Sequence, residues 1–221
     1  MKIRFYNARI LTMQNKEVIT GELHTDGDRI TFVGAENIPQ GSFDREIDLT
    51  GKLMIPGFKN AHTHTAMTFL RSFADDLPLN DWLYEQVFPH EAKLTEEAIY
   101  VFTQLGNMEY LTSGITSSFD MYFKLDSYTK ACTDMGYRSV LCGSINDFGG
   151  TVEGVEEEYN KFNSLDPLIS YQLGFHAEYT TKRETLEGMA KLSQKYKAPM
   201  YTHSSETKAE TDGDMGDAHV G

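Results

Sequence analysis

Ile55-Pro56-Gly57-Phe58-Lys59-Asn60-Ala61-His62-Thr63-His64 decides the fold of this chain. A Pro-Gly pair opens a short extended run that closes on two histidines spaced i, i+2. Successive side chains on a strand point to opposite faces, so residues two apart share one. Both imidazoles can therefore reach a single point above the strand end, which is what a bound divalent metal requires. A strand ending in His-x-His predicts a metal-dependent enzyme.

From this run onward strand and helix patterns alternate. Strands are expected at 53–64, 115–119, 137–143, 168–175 and 199–203, with helices between them at 95–113, 125–135, 152–163 and 183–196. Thr95-Glu96-Glu97 puts acids into a first turn, and Gly114 follows the last turn of the same helix. Repeats of this length imply a parallel sheet, because each crossover returns the chain to the same end. The α/β class expected is a (β/α)₈ TIM barrel. No Gly-x-Gly-x-x-Gly follows the first strand, which disfavours an open dinucleotide-binding sheet. A barrel usually takes about 250 residues, and about 165 follow the opening segment, so about five βα units are expected here and the chain reads as part of a longer protein.

Residues 1–55 differ in character. Arg4–Thr12, Val18–Thr25, Arg29–Val33 and Arg45–Leu49 are strand-like, with Asp26-Gly27 as a hairpin-type turn between two of them. The expected division is a small β-domain over 1–55 and barrel over 56–221. The first segment alone is too short for much of a core and should need further strands.

The 221 residues carry 33 acids against 20 bases, a net charge of −13, which argues against nucleic acid or an anionic membrane as partner. No apolar run approaches the roughly 20 residues of a membrane span. The start lacks a secretory pattern, so a cytoplasmic protein is expected. Cys132 and Cys142 form no Cys-x-x-Cys pair and read as small buried hydrophobes.

His203 closes the apolar run Ala198-Pro199-Met200-Tyr201-Thr202, and so belongs on the same barrel rim as His62 and His64, where barrel active sites gather. Glu206 follows three residues later and reads either as a solvated acid or as a proton carrier beside the metal. His176 ends the fourth strand and is read evenly as a substrate contact or a structural histidine. His24, His90 and His219 have no such placement.

These motifs together resemble the amidohydrolase superfamily, in the branch of 5-methylthioadenosine/S-adenosylhomocysteine deaminases, guanine deaminases and chlorotriazine hydrolases. Residues 56–64 are similar to its metal strand, and Met67–Leu79 with Trp82-Leu83 to its lid segment. Val87–Thr95 is similar to the segment before the first barrel helix, and His203-Ser204-Ser205-Glu206-Thr207 to the fifth-strand motif. The resemblance covers nearly the whole chain. It implies that His62, His64 and His203 bind one divalent metal ion, zinc or alternatively iron. It further implies that Glu206 shuttles protons, that His176 contacts the heterocycle, and that Glu91 accepts hydrogen bonds from ribose hydroxyls. No lysine follows Leu173, which fits a mononuclear site. The first segment is implied to be part of a composite β-sandwich.

Two stretches depart from the family. Phe175 and Glu178 stand where prolines usually flank the fourth-strand histidine. Leu141–Ser144 and Phe148–Thr151 carry no cation where members acting on S-adenosylhomocysteine have arginines. The implied activity is hydrolytic deamination of an aminopurine nucleoside such as adenosine or 5′-methylthioadenosine, a small-molecule heterocycle, with release of ammonia. The alternatives are hydrolysis of another C–N or C–Cl bond on a triazine or pyrimidine, and a non-catalytic barrel. The family's sixth-strand histidine and eighth-strand aspartate have no counterpart in these residues, so the 221-residue piece alone is expected to be inactive. The sequence leaves a homo-oligomer open.

Overall fold

A computed structural model describes residues 1–212, which divide into two compact units at the Gly57–Phe58 bond. The first unit holds strands β1 (Lys2–Ile10), β2 (Ile19–Asp26), β3 (Arg29–Gly34), β4 (Arg45–Asp48) and β5 (Leu53–Met54) in a single sheet. β2 pairs antiparallel with both β1 and β3, while β4 and β5 run parallel to β1. The β2–β3 connection is two residues long, and Gly27 enters it at φ +59°, a conformation open to glycine at little cost. His24 has a structural explanation: it is buried, with Nε2 2.8 Å from the Glu22 carboxylate. Arg4 also pairs with Glu22 and holds that carboxyl down to about 2.

The continuous strand expected over 53–64 is two strands in two sheets. Leu53–Met54 pairs with β1, and a separate strand, β6 (Phe58–Thr63), opens the second unit. Pro56 has no N–H to give a ladder, and with Gly57 it ends one pairing before the next begins.

The second unit is a five-stranded sheet, all parallel and in sequence order. It consists of β6, β7 (Ile115–Met121), β8 (Arg138–Cys142), β9 (Ile169–Ala177) and β10 (Met200–His203). Sequential parallel strands with helical crossovers are the pattern of a TIM barrel, here five staves of one. The β6–β7 connection contains a 3₁₀ turn (Thr65–Leu70), α1 (Leu79–Asp81), a π-helical segment (Trp82–Val87), α2 (Phe88–Glu91) and α3 (Glu96–Thr112). The later crossovers contain α4 (Leu125–Met135), α5 (Val152–Phe162) and α6 (Arg183–Tyr196), and α7 (Lys208–Asp212) follows β10.

Local chemistry sets these boundaries. Thr95 Oγ1 accepts the Ala98 N–H at 3.1 Å, and Thr151 Oγ1 accepts the Gly154 N–H at 3.0 Å, so both helices start on a threonine cap. Gly136 ends α4 in the left-handed conformation at φ +67°. The core lies between sheet and helices, where Ile99, Tyr128, Leu141, Tyr171, Leu173 and Met189 are fully buried. β9 is buried at Ile169, Tyr171, Leu173, Gly174, Phe175 and Ala177, with the polar Ser170, Gln172 and His176 half-buried between them on the other face. Cys132 and Cys142 are both buried, and burial pushes both thiols up to about 12. No helix among the described residues is long and apolar enough to cross a membrane.

Parallel strands share one carboxyl rim. On it lie His62 from β6 and His64 just after it, Met121 from β7, His176 from β9 and His203 from β10.

Candidate metal centre

Three imidazoles converge at that rim. Ring centroids are 4.9 Å apart for His62–His64, 4.9 Å for His62–His203 and 5.2 Å for His64–His203. Each offers one nitrogen to a group whose members all lie within 4.8 Å of one another. His62 Nε2 and His203 Nε2 are 3.3 Å apart. Two nitrogens bound at about 2.05 Å to one tetrahedral centre sit about 3.3 Å from each other, so this pair fits a zinc-sized ion. His64 lies one residue beyond β6, at φ −127° and ψ 72°, where the strand turns into the 3₁₀ segment.

Backbone carbonyls fix two of the tautomers. His64 Nδ1 donates to the Met121 carbonyl at 2.6 Å, and His203 Nδ1 donates to the His176 carbonyl at 2.6 Å. With the proton on Nδ1, each ring turns an Nε2 lone pair toward the cluster. Burial pushes His64 down to about 4. Desolvation and then the neighbouring His203 also push His62 below its ordinary value. Neutral imidazoles are the form that binds a cation.

His64 and His203 open onto a cavity of about 790 Å³ that also takes in His176, Glu206 and Glu91. His176 is 5.2 Å from His203 between ring centroids, and its Nδ1 lies 2.8 Å from Thr180 Oγ1. Burial, then the charge of His203, pushes His176 down to about 4. Glu206 lies in the loop between β10 and α7, and its Oε2 accepts the Tyr179 hydroxyl at 3.0 Å. Glu91 ends α2, and its Oε1 accepts the Tyr122 hydroxyl at 2.8 Å. Burial raises Glu91 above the usual carboxylate range, and the Tyr122 bond partly offsets this. Five parallel staves, a histidine trio at their carboxyl rim and a carboxylate on the adjoining wall are now in place. The profile of the Amidohydrolase family matches residues 53–218.

The chain belongs to the amidohydrolase family.

Among its relatives, the 5′-deoxyadenosine deaminase of Methanobrevibacter smithii is 36% identical over 220 residues, covering 96% of this chain and 50% of the relative. The 5-methylthioadenosine/S-adenosylhomocysteine deaminase of Syntrophomonas wolfei is 37% identical over 217 residues, covering 95% and 50%. A crystal structure of an adenosine deaminase from Xanthomonas campestris with bound zinc superposes with a TM-score of 0.86 at 26% identity, over 98% of this chain and 52% of that one. This amidohydrolase chain thus spans about half the length of the relatives it matches.

Reading the sequence missed several groups in this amidohydrolase site. The Met121 carbonyl that orients His64 left no side-chain signal. Tyr179 and Tyr122 could have been suspected only from their neighbours His176 and Asp120. Tyr84 of the π-helical segment also went unread; it walls the cavity beside Trp82 and Phe88, which belong to the lid and pre-helix segments recognised in the sequence. Lys124, between β7 and α4, also lines the cavity and pairs with Glu96 at 3.4 Å. His90 has a local partner, the Gln86 carbonyl at 2.5 Å, and His219 lies outside the described residues.

Proposed function

We propose that this chain carries the metal-binding and proton-transfer residues of a hydrolytic deaminase acting on an aminopurine nucleoside or a related heterocycle, with release of ammonia. The observation that carries this reading is the meeting of three imidazoles, two of which line one cavity with His176 and Glu206, in a chain 36–37% identical to nucleoside deaminases. His62, His64 and His203 would hold one divalent ion. Zinc is favoured because the similar structure from Xanthomonas campestris binds it, and iron is the alternative. When bound, such an ion supplies an acidified water and a Lewis-acidic centre.

The remaining steps fall to the chain's own groups. Water adds to the ring carbon that bears the amino group, and the carbon–nitrogen bond then breaks. Glu206 takes one proton from the attacking water and gives it to the ring nitrogen. It then takes the second from the hydroxyl of the adduct and gives it to the departing amine, which leaves as ammonia while that oxygen becomes a carbonyl on the ring. The Tyr179 hydroxyl bonds one carboxylate oxygen of Glu206 and so fixes its direction. His176 stays neutral at ordinary pH. The Thr180 hydroxyl donates to the Ala177 carbonyl at 3.2 Å, so its oxygen accepts the proton from His176 Nδ1. Nε2 of His176 is then an acceptor for a ring or amino N–H as positive charge builds there.

Glu91 offers the carboxylate oxygens that a pair of sugar hydroxyls would bond, and Trp82 and Phe88 supply apolar faces for a planar base. Glu91, Glu158 and Glu206 line the cavity, whose one cation among the described residues, Lys124, is already paired. That balance favours a neutral nucleoside over a phosphorylated one. The acidic chain as a whole keeps nucleic acid and anionic membrane outside this reading.

Glu206→Gln in the intact protein tests it. Ammonia release from adenosine and 5′-methylthioadenosine should fall about 10²–10⁴-fold with metal content unchanged. Near-normal release would remove Glu206 from its role. Guanine and chlorotriazines assayed alongside, for ammonia and chloride, define which leaving group the site serves.

A further inference from the structure

Asp120, the penultimate residue of β7, is fully buried, and no ion pair engages it among the described residues. Its carboxylate accepts the Thr65 backbone N–H at 3.1 and 3.3 Å, the Thr65 hydroxyl, and the Tyr128 hydroxyl at 2.7 Å. All of these donors are neutral. A buried carboxylate held only by neutral donors is expensive, and burial pushes this one up to about 6. An apolar residue here would spare that cost, so its surroundings merit a physical reason.

Thr65 is the residue directly after His64. The residue directly after Asp120 is Met121, whose carbonyl takes the proton of His64 Nδ1 at 2.6 Å. The Asp120–Met121 pair therefore grips His64 twice, once through the peptide behind it and once through its ring. The grip is closed from the other side by α3. Gly106 has no side chain, and a Cβ there would fall 2.4 Å from Thr65 Cγ2 and 3.2 Å from the Thr65 carbonyl oxygen. Tyr110 of the same helix lies 2.6 Å from Thr63 Oγ1, so both neighbours of His64 are anchored. Tyr128 in turn touches Ser139 at 3.0 Å, which ties the network into β8.

We propose that Asp120 is a positioning residue for the metal centre: its carboxylate sets the turn after β6 so that His64 Nε2 faces the other two imidazoles. This rests on the reading of the three histidines as ligands, and its test measures metal binding rather than turnover. Asp120→Asn keeps the shape but cannot accept from all three donors as the carboxylate does. In the intact protein we expect Asp120→Asn to bind Zn²⁺ about 10–100-fold more weakly in competition with a chromophoric chelator. The visible spectrum of the Co²⁺-loaded protein should also change, because it reports ligand geometry. Tyr128→Phe removes one donor but leaves Thr65 held, and should change affinity less than threefold.

An Asp120→Asn protein that folds, binds Zn²⁺ within twofold of wild type and keeps the Co²⁺ spectrum overturns the proposal. Should Asp120→Asn fail to fold, Thr65→Val decides, since it replaces only the hydroxyl that donates to Asp120, by a methyl group of similar size. Weakened Zn²⁺ binding by the folded variant supports the role, and unchanged binding overturns it. Wild-type protein that binds neither ion overturns the metal reading itself, and this role with it.

Discussion

His176 shows how one side chain's surroundings become a measurable property. The unfolded imidazole gains its proton near 6.5 and the folded one near 4, because burial disfavours the cation. Between those values the unfolded chain binds more protons than the folded one. Stability is therefore intact above about pH 6.5 and falls as pH drops toward 4. His176→Asn removes this contribution. In urea melts of metal-free protein, the variant should lose less stability than wild type between pH 7 and 4.5, by up to about 3 kcal/mol. Equal losses in the two proteins would show that His176 is not held neutral by burial. The His-x-His pair and His203 were legible in the sequence because each closes a strand-like run, and a strand end is a local pattern. The carbonyls that orient His64 and His203 were not. They are backbone atoms contributed from 57 and 27 residues away, with no residue type to mark them.

At the scale of elements, α3 contributes to the site without entering the cavity. Its Gly106 lets the helix close on the turn after β6, and Thr65 cannot move aside freely because its hydroxyl is bonded to Asp120. Gly106→Ala should therefore destabilise by about 1–3 kcal/mol, although alanine is the better helix former. A thermal melt of the variant at or above the wild-type midpoint would contradict that packing. The alternation of strands and helices could be read from apolar runs, capping threonines and Gly136, all of which act within a few residues. The division of 53–64 between two sheets could not. Leu53 and Met54 look like the start of the next strand, and only their pairing with β1, more than forty residues earlier, assigns them elsewhere. The π-helical turn at Trp82–Val87 was also hidden, since its apolar residues fit an α-helical period as well.

For the molecule as a whole, the second sheet runs from β6 to β10, and both of these are edges among the described residues. Rows of unpaired N–H and C=O groups on parallel edges invite pairing with other chains. A polypeptide of residues 1–221 produced alone should self-associate and deaminate none of the nucleosides named above. Light scattering that finds a stable monomer, or turnover by it, would contradict this.

His62 and His203 stand 141 residues apart in the chain yet touch across the span of that sheet. An emerging polypeptide holds only a two-histidine stub until β10, the fifth stave, has been synthesised and docked. Loading of the ion then waits on the docking of β10 beside β9, and metal starvation should leave behind a folded but unloaded protein.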